Sequence, residues 1–205
     1  MQVVELNHVV GLHCLTQLRD KNTSITGFRR NTYVLGSLLL GEATRKLEWE
    51  KHDIETPLAK CEGIVVKAPV FIPILRAGLS LLDIALKFFP DAKIGMVGAQ
   101  RDEKTAESST YYQKLPEIKG QHVFILEPML ATGGTLVSSI QEILPHQPKS
   151  LAIISIVAAQ QGIEHLSSFE DITLYTGAID ASLNQQKYIV PGLGDFGDRW
   201  LGTQQ

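Results

Sequence analysis

Residues 122–135 read HVFILEPMLATGGT, and this stretch decides the fold. Its first five residues, His122–Leu126, form a nearly continuous apolar run, which predicts a strand buried on both faces. A tight turn of small and hydroxyl-bearing residues follows, and a helix is expected from about Gly134 to Leu144. A buried strand that turns directly into a helix is the unit from which parallel α/β sheets are built.

The same alternation of short apolar segments and helical patterns runs along the chain from Val65 onward. Further strands are predicted at Val70–Ile72, Lys93–Val97, Leu151–Val157 and Ile172–Tyr175, and further helices at Leu79–Phe89 and Gln161–Ser168. The sequence therefore predicts a doubly wound α/β fold, in which helices flank a mostly parallel central sheet.

Three regions do not share this alternation. Residues 1–64 are expected to form an N-terminal helical segment, because apolar residues recur there at roughly helical spacing. Gln100–Lys119 is polar and charged, and a loop of that length is often a functional, flexible lid. Asn184–Gly202 is rich in glycine and aromatic residues and has little periodicity.

Length and composition limit the classes of protein to which the chain can belong. A chain of 205 residues favours a single domain over 1–205, and a net charge of −3 argues against a broad nucleic-acid-binding surface. Cys14 and Cys61 are too few for a disulfide framework, and six scattered histidines do not suggest a structural metal site. We see no targeting segment and no apolar run near 20 residues, so we expect a cytoplasmic protein without a membrane partner.

The turn after the strand His122–Leu126 has the chemistry of an anion-binding site. Gly133 and Gly134 allow backbone N–H groups to point inward, and Thr132 and Thr135 add hydroxyl donors at a helix N-terminus. Glu127 would repel a phosphate but suits sugar hydroxyls, so together these residues suggest a sugar phosphate. The ordinary alternative is a glycine turn that only begins a helix.

Two arginines are predicted at the same edge of the sheet. Arg76 follows the strand Val70–Ile72, and Arg101 lies in the loop after the strand Lys93–Val97. Ligands of open α/β sheets bind at the carboxyl ends of the strands, and a guanidinium binds phosphate oxygens in pairs. The two side chains could hold a diphosphate, although a surface ion pair is the common role of a single arginine.

Two glycine patterns resemble nucleotide-binding motifs without their context. Gly192–Gly197 matches G-x-G-x-x-G, but Pro191 precedes it and only eight residues follow it, so it does not predict a dinucleotide-binding fold. Gly98–Thr105 has Walker A spacing, but Glu103 stands where the second glycine is required, which argues against a P-loop kinase.

Three motifs in one order resemble the uracil phosphoribosyltransferase family. They are Pro73–Gly78 (PILRAG), Glu127–Thr135 (EPMLATGGT) and Tyr188–Asp195 (YIVPGLGD), and the similarity extends from about Leu15 to Thr203. The resemblance implies a type I phosphoribosyltransferase fold with a core at 65–180 and a C-terminal hood at 181–205. It implies the reaction of uracil with phosphoribosyl diphosphate (PRPP) to give UMP and diphosphate, a step of pyrimidine salvage.

The resemblance also implies roles for individual residues. Arg101 and Asp195 are expected to be catalytic, with Asp195 the best-placed general base and close to a magnesium ion that PRPP carries. The expected PRPP-binding residues are Arg76, Arg101, Glu127, Pro128, Met129, Leu130, Ala131, Thr132, Gly133, Gly134, Thr135 and Asp195. The expected base-binding residues are Tyr188, Ile189, Gly194, Asp195 and Phe196, acting largely through backbone groups. A homodimer or larger homo-oligomer and a nucleotide effector such as GTP are further implied partners.

Two residues depart from the family pattern. Glu127 stands where the family usually has Asp, and Phe196 stands where it usually has Ala. The longer carboxylate at 127 could still reach ribose hydroxyls, whereas a larger side chain at 196 could change the base pocket. The alternative is therefore a regulatory protein that binds PRPP or a nucleotide without turnover. An RNA-binding regulator is a weaker third hypothesis, because the overall charge is negative.

Overall fold

The structure is a computed structural model that describes residues 1–101 and 108–203, without the side chains at 100–101 and 108–110. The strands are β1 (Gln2–Glu5), β2 (Trp49–Glu55), β3 (Lys60–Val66), β4 (Val70–Leu75), β5 (Met96–Arg101), β6 (Ser108–Lys114), β7 (His122–Leu126), β8 (Met129–Leu130), β9 (Ser150–Ser155), β10 (Val157–Ala159), β11 (Ile172–Thr176), β12 (Ile179–Asp180), β13 (Ser182–Leu183) and β14 (Ile189–Val190). The helices are α1 (Val9–Arg19), α2 (Ile25–Thr44), α3 (Leu79–Phe88), α4 (Gly134–Ile143), α5 (Gln160–Leu166) and α6 (Phe196–Leu201).

A seven-stranded central sheet has the order β1-β11-β9-β7-β4-β5-β6. Neighbouring strands are parallel except for the edge pair β5–β6. Each of the five predicted strands overlaps a strand of this sheet, so the α/β prediction is confirmed. Val157, at the end of the predicted strand Leu151–Val157, belongs to β10 instead.

The two faces of the sheet are covered by different helices. In β7, Phe124 and Leu126 belong to the apolar core that includes α1, α2 and α3. Val123 and Ile125 face the other core, which includes α4 and α5. Burial of both faces explains why this strand is apolar throughout. Within residues 1–101 and 108–203, no helix is both long enough and apolar enough to cross a membrane.

The structure corrects the predicted bounds in two places. β5 begins at Met96 and ends at Arg101, so Arg101 closes the strand and does not lie in the following loop. Residues 108–114 of the predicted lid form β6, an antiparallel edge strand whose run of Ser, Thr and Tyr residues suits a solvated strand. The middle of that predicted lid, residues 102–107, lies outside the described residues.

The N-terminal third is not helical throughout. α1 and α2 lie where helices were expected, but β1 adds a parallel strand beside β11, and β2 and β3 form a separate antiparallel hairpin. Every residue of β2 is exposed. A strand shows alternating apolar and polar residues when one of its faces is buried, and β2 has no buried face to produce that pattern.

Beyond the central sheet, three short segments continue the chain past the strand ends. β8, β10 and β12 form a small parallel sheet in the order β12-β10-β8. They follow β7, β9 and β11, and they extend the edge at which parallel α/β sheets bind ligands. The C-terminal hood then adds the two-stranded pair β13–β14 and the helix α6.

Candidate active site

The loop after β4 is held close to β7. Gly78 directly precedes α3, and a Cβ atom at this position would lie 2.4 Å from the Leu126 carbonyl oxygen and 2.7 Å from the Ile74 backbone nitrogen. Only glycine fits such a contact, because no real Cβ approaches backbone atoms so closely. The peptide bond between Leu75 and Arg76 is cis. Arg76 directly follows the last residue of β4, and its side chain is 59% exposed.

The segment after β7 folds into the predicted turn. The Glu127 N–H donates to the Ile154 carbonyl oxygen at 3.1 Å, and the Pro128 carbonyl oxygen accepts from the Ile156 N–H at 2.9 Å. Gly133, with φ of 82°, adopts the left-handed conformation that favours glycine, and α4 begins at Gly134. The N-terminal end of α4 carries the positive partial charge of the helix dipole, so this end of α4 favours an anion.

Glu127 carries an unusual charge state for a carboxyl group. The residue is only partly exposed, and burial of its carboxyl raises the pKa to about 8. A weak hydrogen bond from the Met129 N–H lowers the pKa and offsets a part of this shift. That N–H lies 3.4 Å from Glu127 Oε1. Near neutral pH the carboxyl is therefore mostly protonated, and a ligand that donates hydrogen bonds or carries positive charge would favour the carboxylate.

One cavity of about 200 Å³ connects these segments. It brings together nine of the predicted PRPP-binding residues and places them beside residues of β4, β5 and α4. The lining residues are Ile74, Leu75, Arg76, Ala77, Ala99, Glu127, Met129, Leu130, Ala131, Thr132, Gly133, Gly134, Thr135 and Leu136. Pro128 is buried and does not line the cavity; its carbonyl oxygen accepts the bonds that fix the turn.

Arg101 lies at the same edge of the sheet as Arg76. Leu75 of β4 pairs with Gly98 of β5 in a parallel register, so the ends of these two strands are neighbours. Arg101 is the last residue of β5, and its side chain lies outside the described part of the structure.

The predicted base-binding residues lie in the hood with different environments. Tyr188 is 40% exposed, whereas Ile189 is buried. Gly194, with φ of 80°, precedes Asp195, whose Oδ1 accepts from the Asp198 N–H at 2.8 Å and caps α6. Phe196 is 2% exposed, so its side chain is not open to a base.

The Phe196 side chain packs in the core beneath the hood. Its ring meets Phe28 of α2 edge-on, with centroids 5.2 Å apart, and the Arg199 guanidinium lies 4.4 Å from the centroid of the Phe28 ring on α2. This packing gives a structural reason for the large side chain at a position where the family usually has Ala.

An ion pair that sequence reasoning missed fixes the start of the hood. Arg19 of α1 donates two hydrogen bonds to Asp180, at 2.6 and 2.8 Å, and a third to the Gly192 carbonyl oxygen at 2.8 Å. Asp180 in turn accepts from the Gly192 N–H at 2.9 Å. The partners are 161 positions apart in the chain, so no local pattern connects them.

The hood and the cavity meet at the loop after β4. Arg76 Nη2 lies 3.2 Å from Asp198 Oδ1 of α6, and a Cβ at Gly197 would lie 3.9 Å from the Ala77 Cβ. Arg76 and Ala77 both line the cavity. The Glu127–Thr135 turn and the hood therefore lie on the same side of the molecule, with the Arg76–Gly78 loop between them.

Comparison with known proteins decides the family. A family model described as uracil phosphoribosyltransferase matches residues 5–203. The chain belongs to the uracil phosphoribosyltransferase family. A uracil phosphoribosyltransferase of Legionella pneumophila (strain Lens) is 44% identical over 207 residues, which cover 99% of this chain and 97% of that protein. None of these comparisons supports the alternative of a regulatory protein.

Solved structures agree with this family and with its wider fold. A protein of Aquifex aeolicus has a TM-score of 0.93 and 39% sequence identity, with 99% of each chain covered. A hypoxanthine-guanine phosphoribosyltransferase of Bacillus anthracis has a TM-score of 0.52 and 16% identity, over 76% of this chain and 80% of that one. The second likeness shows the type I phosphoribosyltransferase fold alone.

Proposed function

We propose that the protein transfers the phosphoribosyl group of PRPP to N1 of uracil and releases diphosphate, forming UMP. The observation that carries this proposal is the single cavity that contains Arg76, Glu127 and the turn at the start of α4. A guanidinium, a carboxyl group and an anion-binding turn correspond to the diphosphate, the ribose and the 5′-phosphate of one substrate.

In this proposal the turn binds the 5′-phosphate and Glu127 binds the ribose. Backbone N–H groups at the start of α4 and the hydroxyl groups of Thr132 and Thr135 would donate to phosphate oxygens. The Glu127 carboxylate would accept hydrogen bonds from the ribose hydroxyls, and these bonds would lower its pKa from about 8. Both contacts hold the sugar in place while the bond at C1 breaks.

The leaving diphosphate requires positive charge near the ends of β4 and β5. Arg76 and Arg101 would contact the diphosphate, and their attraction grows as charge develops on the leaving group, which lowers the barrier. Arg76 would first have to release or share its ion pair with Asp198.

Magnesium would neutralise further charge on the diphosphate. The residues 1–101 and 108–203 contain no cluster of three or more possible metal-ligating His, Cys, Asp or Glu side chains. Mg²⁺ typically keeps several waters and binds one or two carboxylates together with substrate phosphates, so an ion carried by PRPP fits these residues. The protein would supply no direct ligand in this arrangement, and the ion carried by PRPP would lie near Asp195, whose Oδ1 accepts the cap bond of α6.

The base would lie against the hood. Backbone groups of Ile189, Gly194 and Phe196 would read the edge of uracil, Tyr188 would contribute from the exposed side, and Asp195 is the proposed general base.

A base panel tests the proposal. The purified protein is mixed with PRPP, magnesium and uracil, 5-substituted uracils, cytosine or hypoxanthine, and nucleotide products are separated by chromatography. We expect UMP from uracil and no product from hypoxanthine. Binding of PRPP without any nucleotide formed would favour the regulatory alternative, and salt-sensitive retention of RNA would favour the third hypothesis.

We further propose that the protein is a homodimer or larger homo-oligomer through the hairpin β2–β3. An isolated two-stranded hairpin is only marginally stable in water. In this hairpin Ile64 is 61% exposed and Leu58 is 96% exposed, so both apolar side chains are available for packing against a second copy of the chain. Light scattering should give at least twice the monomer mass, and Ile64→Glu should lower it. A GTP effect on initial rates and a cytoplasmic location stay predictions.

A further inference from the structure

His165 contacts the back of the anion-binding turn. It lies on α5, and its Nδ1 atom is 2.9 Å from the carbonyl oxygen of Thr132, 33 positions earlier in the chain. His165 does not line the cavity, and its side chain is exposed on the outer side of the turn. The contact therefore reaches the turn from the side opposite to a bound phosphate.

The direction of this hydrogen bond follows from its acceptor. A carbonyl oxygen only accepts, so Nδ1 of His165 must carry the hydrogen. The carbonyl and the N–H of a trans peptide unit point in opposite directions. When the Thr132 carbonyl is held against α5, the Gly133 N–H of the same unit points away from α5, towards the cavity that Thr132 and Gly133 line.

We propose that His165 is a positioning residue for the phosphate-binding turn, which it fixes with the Gly133 N–H aimed at the 5′-phosphate of PRPP. This inference rests on the proposed function of the cavity. An accepted hydrogen bond at the carbonyl also polarises the peptide unit, so the same contact strengthens the N–H as a donor.

Close backbone packing brings α5 within reach of the turn. A Cβ at Gly162 would lie 2.4 Å from the Ala131 carbonyl oxygen, and a Cβ at Gly133 would lie 3.2 Å from the Gly162 carbonyl oxygen. The two glycines let the turn and the helix approach without side chains between them. His165 lies one turn further along α5, where its ring reaches the Thr132 carbonyl.

The test uses three variants of the full chain and two kinds of measurement. His165→Ala removes the donor, His165→Asn supplies an amide nitrogen the same number of bonds from the backbone, and Gln161→Ala is a matched change at an exposed site on α5. Calorimetric titration with ribose 5-phosphate measures binding without turnover. Steady-state rates give separate KM values for PRPP and uracil.

We expect His165→Ala to weaken ribose 5-phosphate binding and to raise the KM for PRPP by roughly three- to tenfold, the effect of one neutral hydrogen bond. The KM for uracil should stay within about twofold of the wild-type value, because the change affects the phosphate-binding turn. A change of that size is smaller than the effect of losing one hydrogen bond. His165→Asn should restore most of the binding, and Gln161→Ala should behave as the wild type.

Three outcomes would overturn the inference: unchanged ribose 5-phosphate binding by His165→Ala, an equal rise of both KM values, or no recovery in His165→Asn. The binding measurement separates this inference from the proposed function. If the wild-type protein binds ribose 5-phosphate but forms no UMP, the proposed function fails and the variants still decide the role of His165. If the wild-type protein does not bind ribose 5-phosphate, the inference is wrong as well.

Discussion

Replacing Glu127 by glutamine should change how the stability of the protein depends on pH. In the folded protein the pKa of this carboxyl is raised from 4.5 to about 8 by burial. Below pH 4.5 the group is protonated in both the folded and the unfolded chain, and it costs no stability. Between pH 4.5 and 8 the unfolded chain loses the proton and the folded chain keeps it, so the free energy of unfolding falls as pH rises.

The size of this effect follows from the shift. A change from 4.5 to about 8 corresponds to at most about 5 kcal/mol, and partial exposure of Glu127 makes the real cost smaller. Glu127→Gln has no proton to lose, so its stability relative to the wild type should increase by up to about 5 kcal/mol between pH 4.5 and pH 9. The same variant should bind PRPP less tightly, because an amide offers fewer acceptors to ribose hydroxyls than a carboxylate.

Urea unfolding of both proteins at half-unit steps from pH 4.5 to 9 measures the difference directly. Glu142→Gln, an exposed change on α4, is the matched control and should run parallel to the wild type. Parallel profiles for Glu127→Gln and the wild type would refute the reasoning, since they would mean that Glu127 titrates alike in the folded and unfolded chains.

Three further substitutions separate binding from folding. Arg101→Ala should lower kcat/KM by about 100-fold or more and shift the urea midpoint little, and equal losses would mean that Arg101 is structural. Asp180→Ala should cost about 3–5 kcal/mol in urea unfolding, because it leaves the Arg19 guanidinium unpaired, and it should raise the KM for uracil. Phe196→Ala should cost about 3–5 kcal/mol, while the KM for uracil stays near the wild-type value; a large change in that KM would place the side chain in the base pocket.

The central sheet was predictable because burial on two faces leaves a strong pattern. Val123–Leu126 and Leu151–Ile154 are apolar without interruption, and only a strand between two helical layers demands that. The turn before α4 was predictable for a related reason, since consecutive glycines between threonines at a helix start leave few structural alternatives.

Other parts of the fold leave no such pattern. The hairpin β2–β3 is exposed on both sides, so its sequence contains no periodicity that distinguishes a strand from a loop. β1 is a four-residue edge strand whose partner, β11, lies about 170 positions away in the chain. Sequence periodicity reports burial, and neither element is deeply buried.

The candidate site was hard to predict from the sequence for a further reason: much of what it offers to a ligand is backbone. Each of its three segments is held by a contact from behind: Gly78 packs against the Leu126 carbonyl, the Thr132 carbonyl binds His165, and Gly192 is held by Asp180. A backbone N–H is the same at every residue, so the identity of a lining residue says little about what it binds. The geometry is set by the residues that hold the backbone, and these come from distant elements. Changes at those holding residues should therefore alter binding more than conservative changes at lining residues such as Leu130.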